Sequence, residues 1–340
     1  MTEPRILVVG AGAIGCTLGG WLEQTYPGAV TLLARGSAAE AIRANGLTCY
    51  LQDHPDKRER VKPRVVTSLA GEALPDLTVI TVKNYQLQGA AEQVAAAFGR
   101  GVPVIGLQNG LENQQILPRF FDTVIYGVAH YNAWLDTPGV AGALRKGPLV
   151  LAARPPQAAA LEKAAEWLHR ALPLYTTDRV DDAVVSKLVL NLTNSLMTLI
   201  DFPARQPSDR KLLQKLVTTF MAEGVAIARA AGYHEFKVPP SPTWPMIRAG
   251  AALPRFLTKR MFERNMAKLR LNSMAQDIRK GVDDTELDSL NGPLLAMADK
   301  HGLPVPVNRA VYRLCKERFA EKPFVPMGVK EVWAATRSSS

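Results

Sequence analysis

Apolar residues in the first half of the chain fall in short runs: RILVVG (5–10), AVTLLAR (29–35), LTVITV (77–82), PVIGLQ (103–108) and TVIYGVA (123–129). Runs of this length without polar alternation are the pattern of strands covered on both faces. Between them helical spacing appears, through Trp21 and Leu22, through an Ala-rich stretch before Gly46, and over about 86–98, 111–120 and 156–171. Strands alternating with helices predict a parallel, doubly wound sheet. GLTCYL (46–51) and PRVVTS (63–68) read as a hairpin-like excursion from it, and VAGALRKG (140–147), GPLVLAA (147–153) and PLYTT (173–177) as additional mixed strands. From Asp178 helical periodicity dominates, over about 180–201, 208–231, 255–280 and 285–301, with a final segment near 307–320. The Pro-rich VPPSPTWP (238–245) interrupts it as a loop. The expectation is an α/β domain over 1–178, an all-α domain over 179–333 and a tail over 334–340.

A chain of 340 residues fits two such cores. No run of about 18 apolar residues is present, which argues against a membrane span. Cys16, Cys49 and Cys315 form no CxxC pair, which argues against a disulfide framework and fits a reducing cytoplasm. The five histidines show no metal-ligand spacing, so no metal is expected. The net charge of +10 is concentrated in RFLTKRMFERNMAKLR (255–270). Interleaved Leu and Met favour the solvated face of an amphipathic helix over a nucleic-acid stripe, and no nucleic-acid motif accompanies it. Such a surface still draws small anions toward a cleft.

Candidate chemistry begins at GAGAIG, residues Gly10, Ala11, Gly12, Ala13, Ile14 and Gly15. It follows a buried-strand pattern and opens a helix, the context in which such glycines turn the chain, admit a pyrophosphate and pack helix on strand. The second strand ends in Arg35 where an NAD site places an acid for the ribose 2′-hydroxyl. A guanidinium matches a 2′-phosphate, so NADP(H) is favoured, the other reading being a surface arginine at a loop. Lys83 ends the third buried strand with Gln86 nearby, and it either adds charge to the cofactor site or snorkels at the strand end. Asn109, before Gly110, either makes an Asn-Gly turn or holds the nicotinamide ribose or substrate.

The segment SKLVLNLTNSLMTL (186–199) is apolar on most sides yet carries Lys187 and Asn191 one turn apart, with Asn194 and Ser195 beyond. A lysine there makes sense facing a cleft. An ammonium stabilises and protonates the oxyanion left by hydride addition to a ketone, and partial desolvation lowers its pKa. The alternative is a lysine snorkelling at a helix edge beside a structural asparagine. Glu286 stands at the start of a helix, where Thr285 and Asp288 resemble a capping box.

Together GAGAIG, TVKNYQ (81–86), LQNGLEN (107–113), KLVLN (187–191), NSMAQD (272–277) and TELDSLNG (285–292) resemble ketopantoate reductase (2-dehydropantoate 2-reductase), from about Arg5 to about Phe319. The resemblance implies an N-terminal Rossmann-type sheet, a helical C-terminal domain and a site in the cleft. It implies NADPH on the glycine turn, Arg35, Lys83 and Gln86, with Asn109 near the nicotinamide. Lys187 matches the catalytic lysine, and Asn191, Ser273 and Glu286 match substrate-side positions, with Glu286 anchoring the substrate at the catalytic centre and Ser195 standing at a further substrate-side position. The chain departs from the family pattern where Ser195 replaces an asparagine now at 194, in IRKGVDD (278–284), and in a long 236–254 connection. These leave the 2-oxo acid open between ketopantoate and another branched or hydroxylated one. A non-catalytic NADP(H) sensor would need the glycines and Arg35 but not Lys187, Asn191 and Glu286. The helical domain also offers a surface on which a homodimer can form.

Overall fold

The computed structural model describes residues 3–267, 269, 272–282 and 285–337. Lys268 and Arg270 of the basic run, Asp283 and Asp284 of the departing segment, and the last three serines of the tail lie outside the described residues. The chain forms two compact units, Met1–Ala183 and Val184–Ser340.

In the first unit, β1 (Ile6–Val9), β2 (Val30–Leu33), β5 (Arg64–Val66), β6 (Leu77–Ile80), β7 (Val104–Gly106), β8 (Val124–Ala129), β11 (Leu149–Ala152) and β12 (Leu174–Thr177) make one sheet in the order β12-β11-β8-β7-β6-β1-β2-β5. All neighbours are parallel except β11 against β8. The unbroken apolar runs have a simple cause. Ile6 and Val8 of β1 enter one core cluster with Leu18 and Leu22, while Leu7 and Val9 enter the other with Leu87 and Val94. Both faces of β1 are covered, by α1 (Ala13–Thr25) and α3 (Asn84–Phe98) among others, so alternate residues are all apolar. Each such side chain taken from water contributes about 1.5–3 kcal/mol.

The hairpin expectation needs correcting. β3 (Leu47–Leu51) pairs with β4 (His54–Val61), and β5 leaves for the large sheet beside β2. β4 reads HPDKRERV and is exposed along nearly its whole length, so no apolar run announces it. A charged strand suits the edge of the second sheet, ordered β4-β3-β10-β9, whose other members are β9 (Ala133–Thr137) and β10 (Val140–Ala143).

The second unit is helical. α6 (Val180–Leu199) begins in the first unit and continues, from Val184, as the buried centre of the second, with Leu188, Val189, Leu192 and Leu196 enclosed. α7 (Arg210–Ala230) packs on it so closely that a Cβ at Gly224 would collide with Leu192. α8 (Trp244–Ala252) starts inside the expected loop, its first turn capped by Thr243. The single helix expected over 255–280 is two, α9 (Arg255–Met266) and α10 (Ser273–Arg279). Asn272 starts α10 by accepting from the Ala275 N–H at 2.9 Å. α11 (Leu287–Lys300), α12 (Pro306–Phe319) and α13 (Val329–Arg337) follow. Glu223 of α7 accepts from the backbone N–H groups of Val307 and Asn308 and from Asn308 Nδ2, closing the start of α12. Burial pushes its carboxyl above the usual range despite those bonds. Among the described residues no helix is long and apolar enough to cross a membrane.

Candidate active site

β1 lies between β6 and β2, so the chain runs from β1 through α1 to one side and returns later on the other. Strand order reverses there, and ligands of open α/β sheets settle beyond the carboxyl ends of such strands. Gly10 turns the chain with φ 108°, and Thr81 Oγ1 bonds the carbonyls of Val9 and Gly10 at 3.0 Å, tying the turn to the end of β6. A Cβ at Gly15 would collide with the Gly10 carbonyl, so only glycine lets α1 approach the strand. Gly12 differs. It caps α1 with extended backbone, is exposed, and a Cβ there would meet nothing within 4 Å. No side chain caps this helix end and no acid stands in its first turn. Open space in front of uncapped N–H groups fits the pyrophosphate of a dinucleotide cofactor. Ala11, Ala13 and Ile14 complete the turn, half-buried.

Arg35 caps α2 (Gly36–Asn45), is exposed, and donates from Nη2 to Gln93 Oε1 at 2.9 Å. Lys83 is the residue before α3, half-buried, and Gln86 is exposed in the first turn of that helix. Two buried amides that sequence reading passed over join these loops. Asn84 Nδ2 donates to the Asn109 carbonyl at 2.6 Å, and Gln108 Nε2 donates to the carbonyls of Ile80 and Val82 at 2.9 and 3.1 Å. The loop after β6 is thereby stapled to the loop after β7, and Asn109 is set in place by Asn84. Asn84 Oδ1, Gln108 Oε1 and Asn113 Oδ1 are buried acceptors without a protein partner. Unmet acceptors cost about 1–3 kcal/mol each, so this edge of the sheet suits a ligand or water that donates. The only sequence signal for Asn84 and Gln108 was their place directly after buried strands.

In the second unit four polar residues of α6 form a line. At about 100° per residue, Lys187, Asn191, Asn194 and Thr198 fall within a sector of about 60°. Lys187 and Asn194 are half-buried and Asn191 is buried. Asn272 holds α10 to the end of this line: its Nδ2 donates to the Asn194 carbonyl and its Oδ1 accepts from Thr198 Oγ1, both at 3.1 Å. The far end of α10 is held by Arg279, paired with Asp201 at 2.7 Å. Ser273, exposed at the first position of α10, is thus brought beside the carboxyl end of α6. Glu286 caps α11 and is buried, 5% exposed.

Two expectations change. Ser195 lies round the helix from the polar line and has no exposed surface. Its Oγ donates to the Leu192 carbonyl at 2.9 Å and accepts from Asn291 Nδ2 at 3.1 Å, so it ties α11 to α6 and Asn194 takes the place on the polar line. The capping box also dissolves. Thr285 Oγ1 accepts from the Leu287 N–H, but Asp288 accepts from Tyr312 Oη at 2.7 Å and Lys316 Nζ at 3.0 Å, bridging to α12. Among the described residues no cluster of three or more His, Cys, Asp or Glu side chains could hold a metal ion.

A sheet that reverses order at a glycine turn, followed by a helical unit with a lysine–asparagine line, defines a dinucleotide-dependent oxidoreductase. Residues 6–156 match the family Ketopantoate reductase PanE/ApbA, and residues 179–319 match Ketopantoate reductase PanE/ApbA C terminal. A 2-dehydropantoate 2-reductase of Halobacterium salinarum is 30% identical over 328 residues, covering 92% of this chain and 98% of that protein. The chain belongs to the ketopantoate reductase family and is an oxidoreductase acting on 2-oxo acids. Among solved structures, 2-dehydropantoate 2-reductase of Geobacter metallireducens GS-15 is 25% identical with a TM-score of 0.76, covering 92% of this chain and 99% of that one. D-mandelate dehydrogenase, in a ternary structure with NADH and anilino(oxo)acetate, shares the fold at 22% identity and TM-score 0.74, covering 98% and 99%.

Proposed function

We propose that the protein uses NADPH to reduce a 2-oxo acid to the 2-hydroxy acid, and that 2-dehydropantoate (ketopantoate), giving pantoate, is its substrate. The observation that carries the chemistry is the Lys187–Asn191–Asn194 line on α6, a helix whose neighbouring Leu188, Val189, Leu192 and Leu196 are buried. Cofactor choice rests on Arg35 standing at the end of β2 where a carboxylate would select NADH. The fit at Gly12, with Lys83 and Asn109 on the neighbouring loops and Gln86 in the first turn of α3, supports a dinucleotide in the first unit.

A nicotinamide dinucleotide held at the glycine turn, Arg35, Lys83, Gln86 and Asn109 would supply a hydride for the keto carbon. Negative charge then develops on the keto oxygen, where the Lys187 ammonium stabilises it and hands over a proton, completing the secondary alcohol. Asn191 orients the lysine or the keto oxygen. The Ser273 hydroxyl donates to the substrate carboxylate, and Glu286 accepts from a substrate hydroxyl. A different 2-oxo acid is the second reading, favoured by Ser195, which closes into the core where the family pattern has an asparagine.

The test is NADPH oxidation with ketopantoate and a panel of branched, hydroxylated and aryl 2-oxo acids, alongside NADH and Lys187→Ala. NADPH-selective turnover of ketopantoate, reduced at least about a hundredfold in Lys187→Ala, is expected. Undiminished turnover in that variant would overturn the mechanism, and preference for another acid would replace the substrate.

A further inference from the structure

We propose that Gln93 sets the preference for NADPH over NADH by holding Arg35 in register with the adenosine 2′-phosphate. The inference rests on the reading above that Arg35 receives that phosphate. Arg35 is exposed at the turn from β2 to α2, and a guanidinium on a free stem loses much rotamer freedom when a ligand orders it. The hydrogen bond from Nη2 to Gln93 Oε1, 58 residues along the chain on α3, meets part of that loss before the ligand arrives.

The identity of the acceptor matters. A glutamine carbonyl occupies one of five N–H donors and leaves the guanidinium charge intact. Among the described residues no carboxylate pairs with Arg35. A glutamate at 93 would neutralise it and repel a phosphate. The surroundings form a cradle with open walls. On one side the N-terminus of α2 has no side-chain cap and no acid in its first turn, and Gly36 leaves open space beside it. On the other, Gln86, Gly89 and Gln93 share one face of α3 by helical spacing, and a Cβ at Gly89 would meet nothing within 4 Å. A phosphate lodged there meets the remaining Arg35 donors and the uncapped N–H groups of α2. The ribose of NADH, with a hydroxyl in place of the phosphate, gains little from either.

Equilibrium dissociation constants of NADPH and NADH, read from nucleotide fluorescence on binding, test this in the wild type, Arg35→Ala, Gln93→Ala and Gln93→Glu. Arg35→Ala should reduce the NADPH preference at least about tenfold. Gln93→Ala should weaken NADPH about three- to tenfold with NADH unchanged, and Gln93→Glu should weaken NADPH further. If Arg35→Ala removes the preference while both Gln93 variants keep it, the inference is overturned and the cofactor reading stands. If Gln93→Ala weakens both nucleotides equally, Gln93 only supports the fold and the inference is again overturned. If Arg35→Ala leaves the preference intact, the cofactor reading fails and takes the inference with it.

Discussion

Replacing Gly12 with serine should move stability and cofactor affinity in opposite directions. Gly12 is the N-cap of α1, with φ −75° and ψ −176°, a conformation any residue adopts, and an added Cβ meets nothing within 4 Å. Serine caps helices better than glycine by a few tenths of a kcal/mol, because its hydroxyl satisfies a first-turn N–H. The cofactor-free protein should therefore gain about 0.2–0.5 kcal/mol, a rise in Tm of about 1 °C for a unit of this size. The same side chain fills the space that fits the pyrophosphate and occupies an N–H group that would bind it. Losing one or two charge-assisted hydrogen bonds, at about 1.5–3 kcal/mol each, weakens NADPH at least about tenfold.

Calorimetric titration of NADPH gives the affinity, and a thermal melt without nucleotide gives the stability. Gly15→Ala is the control, since its Cβ would collide with the Gly10 carbonyl and should cost about 1–3 kcal/mol or more. A Gly12→Ser protein that melts several degrees lower, or that binds NADPH like the wild type, would refute the argument that this glycine is kept for a ligand.

Two further outcomes follow from the helical unit. Ser195→Ala should leave kcat within about twofold while lowering stability by about 1–3 kcal/mol, because Asn291 Nδ2 loses its acceptor in a site 1% exposed. A large fall in kcat without a fall in denaturation midpoint would return Ser195 to the substrate side. Burial works against the Asp288 carboxylate, but hydrogen bonds from Tyr312 and Lys316 and the Lys316 charge outweigh it and hold its pKa below the ordinary aspartate value. Its contribution is therefore complete above about pH 4 and lost as pH falls through the depressed value. The group is 61% exposed, so Asp288→Asn should cost under about 1 kcal/mol at neutral pH, and urea melts should show the difference vanishing under acid. A difference that grows on acidification would contradict the sign.

The large sheet was legible because its inner strands are covered on both faces, which forbids polar residues anywhere along ILVV or LVLA. β4 was not, because its charges follow from being an edge, and HPDKRERV carries no periodicity that separates a strand from a loop. The break between α9 and α10 was hidden for another reason. Asn272 ends no hydrophobic pattern and acts only through its side chain, which caps α10 and grips Asn194 and Thr198. At the site, Gly10 and Gly15 could be read because backbone sterics narrow what those positions can do. Asn84 and Gln108 were passed over, since an amide has the same letter whether it makes a turn or staples two loops. Ser195 was misplaced by a single residue, which on a helix is a quarter-turn and separates the polar line from the core.

That quarter-turn bears on how the family chemistry sits on this chain. α6 uses polar side chains in two ways, and position round the helix separates them. Ser186 accepts from the Phe236 N–H at 2.8 Å and Ser195 bonds Asn291, each fixing a neighbouring segment to the helix from outside the lysine's sector. Inside that sector, Thr198 and the Asn194 carbonyl hold Asn272 and so place Ser273. The line therefore runs from a cation at Lys187, through an amide at Asn191, to the anchor of the helix bearing a hydroxyl. On the proposed reading, that sequence of groups supplies what reduction of a 2-oxo acid needs: a proton donor for the keto oxygen, a neutral group to orient it, and a donor for the carboxylate one carbon away. The shift from 195 to 194 keeps an asparagine within the sector and changes the packing beneath it, where Ser195 bonds Asn291. On the proposed reading, substrate choice falls to the packing beneath the line and to the residues around Ser273 and Glu286, where variation changes the acid accepted without removing the lysine proposed to protonate the keto oxygen.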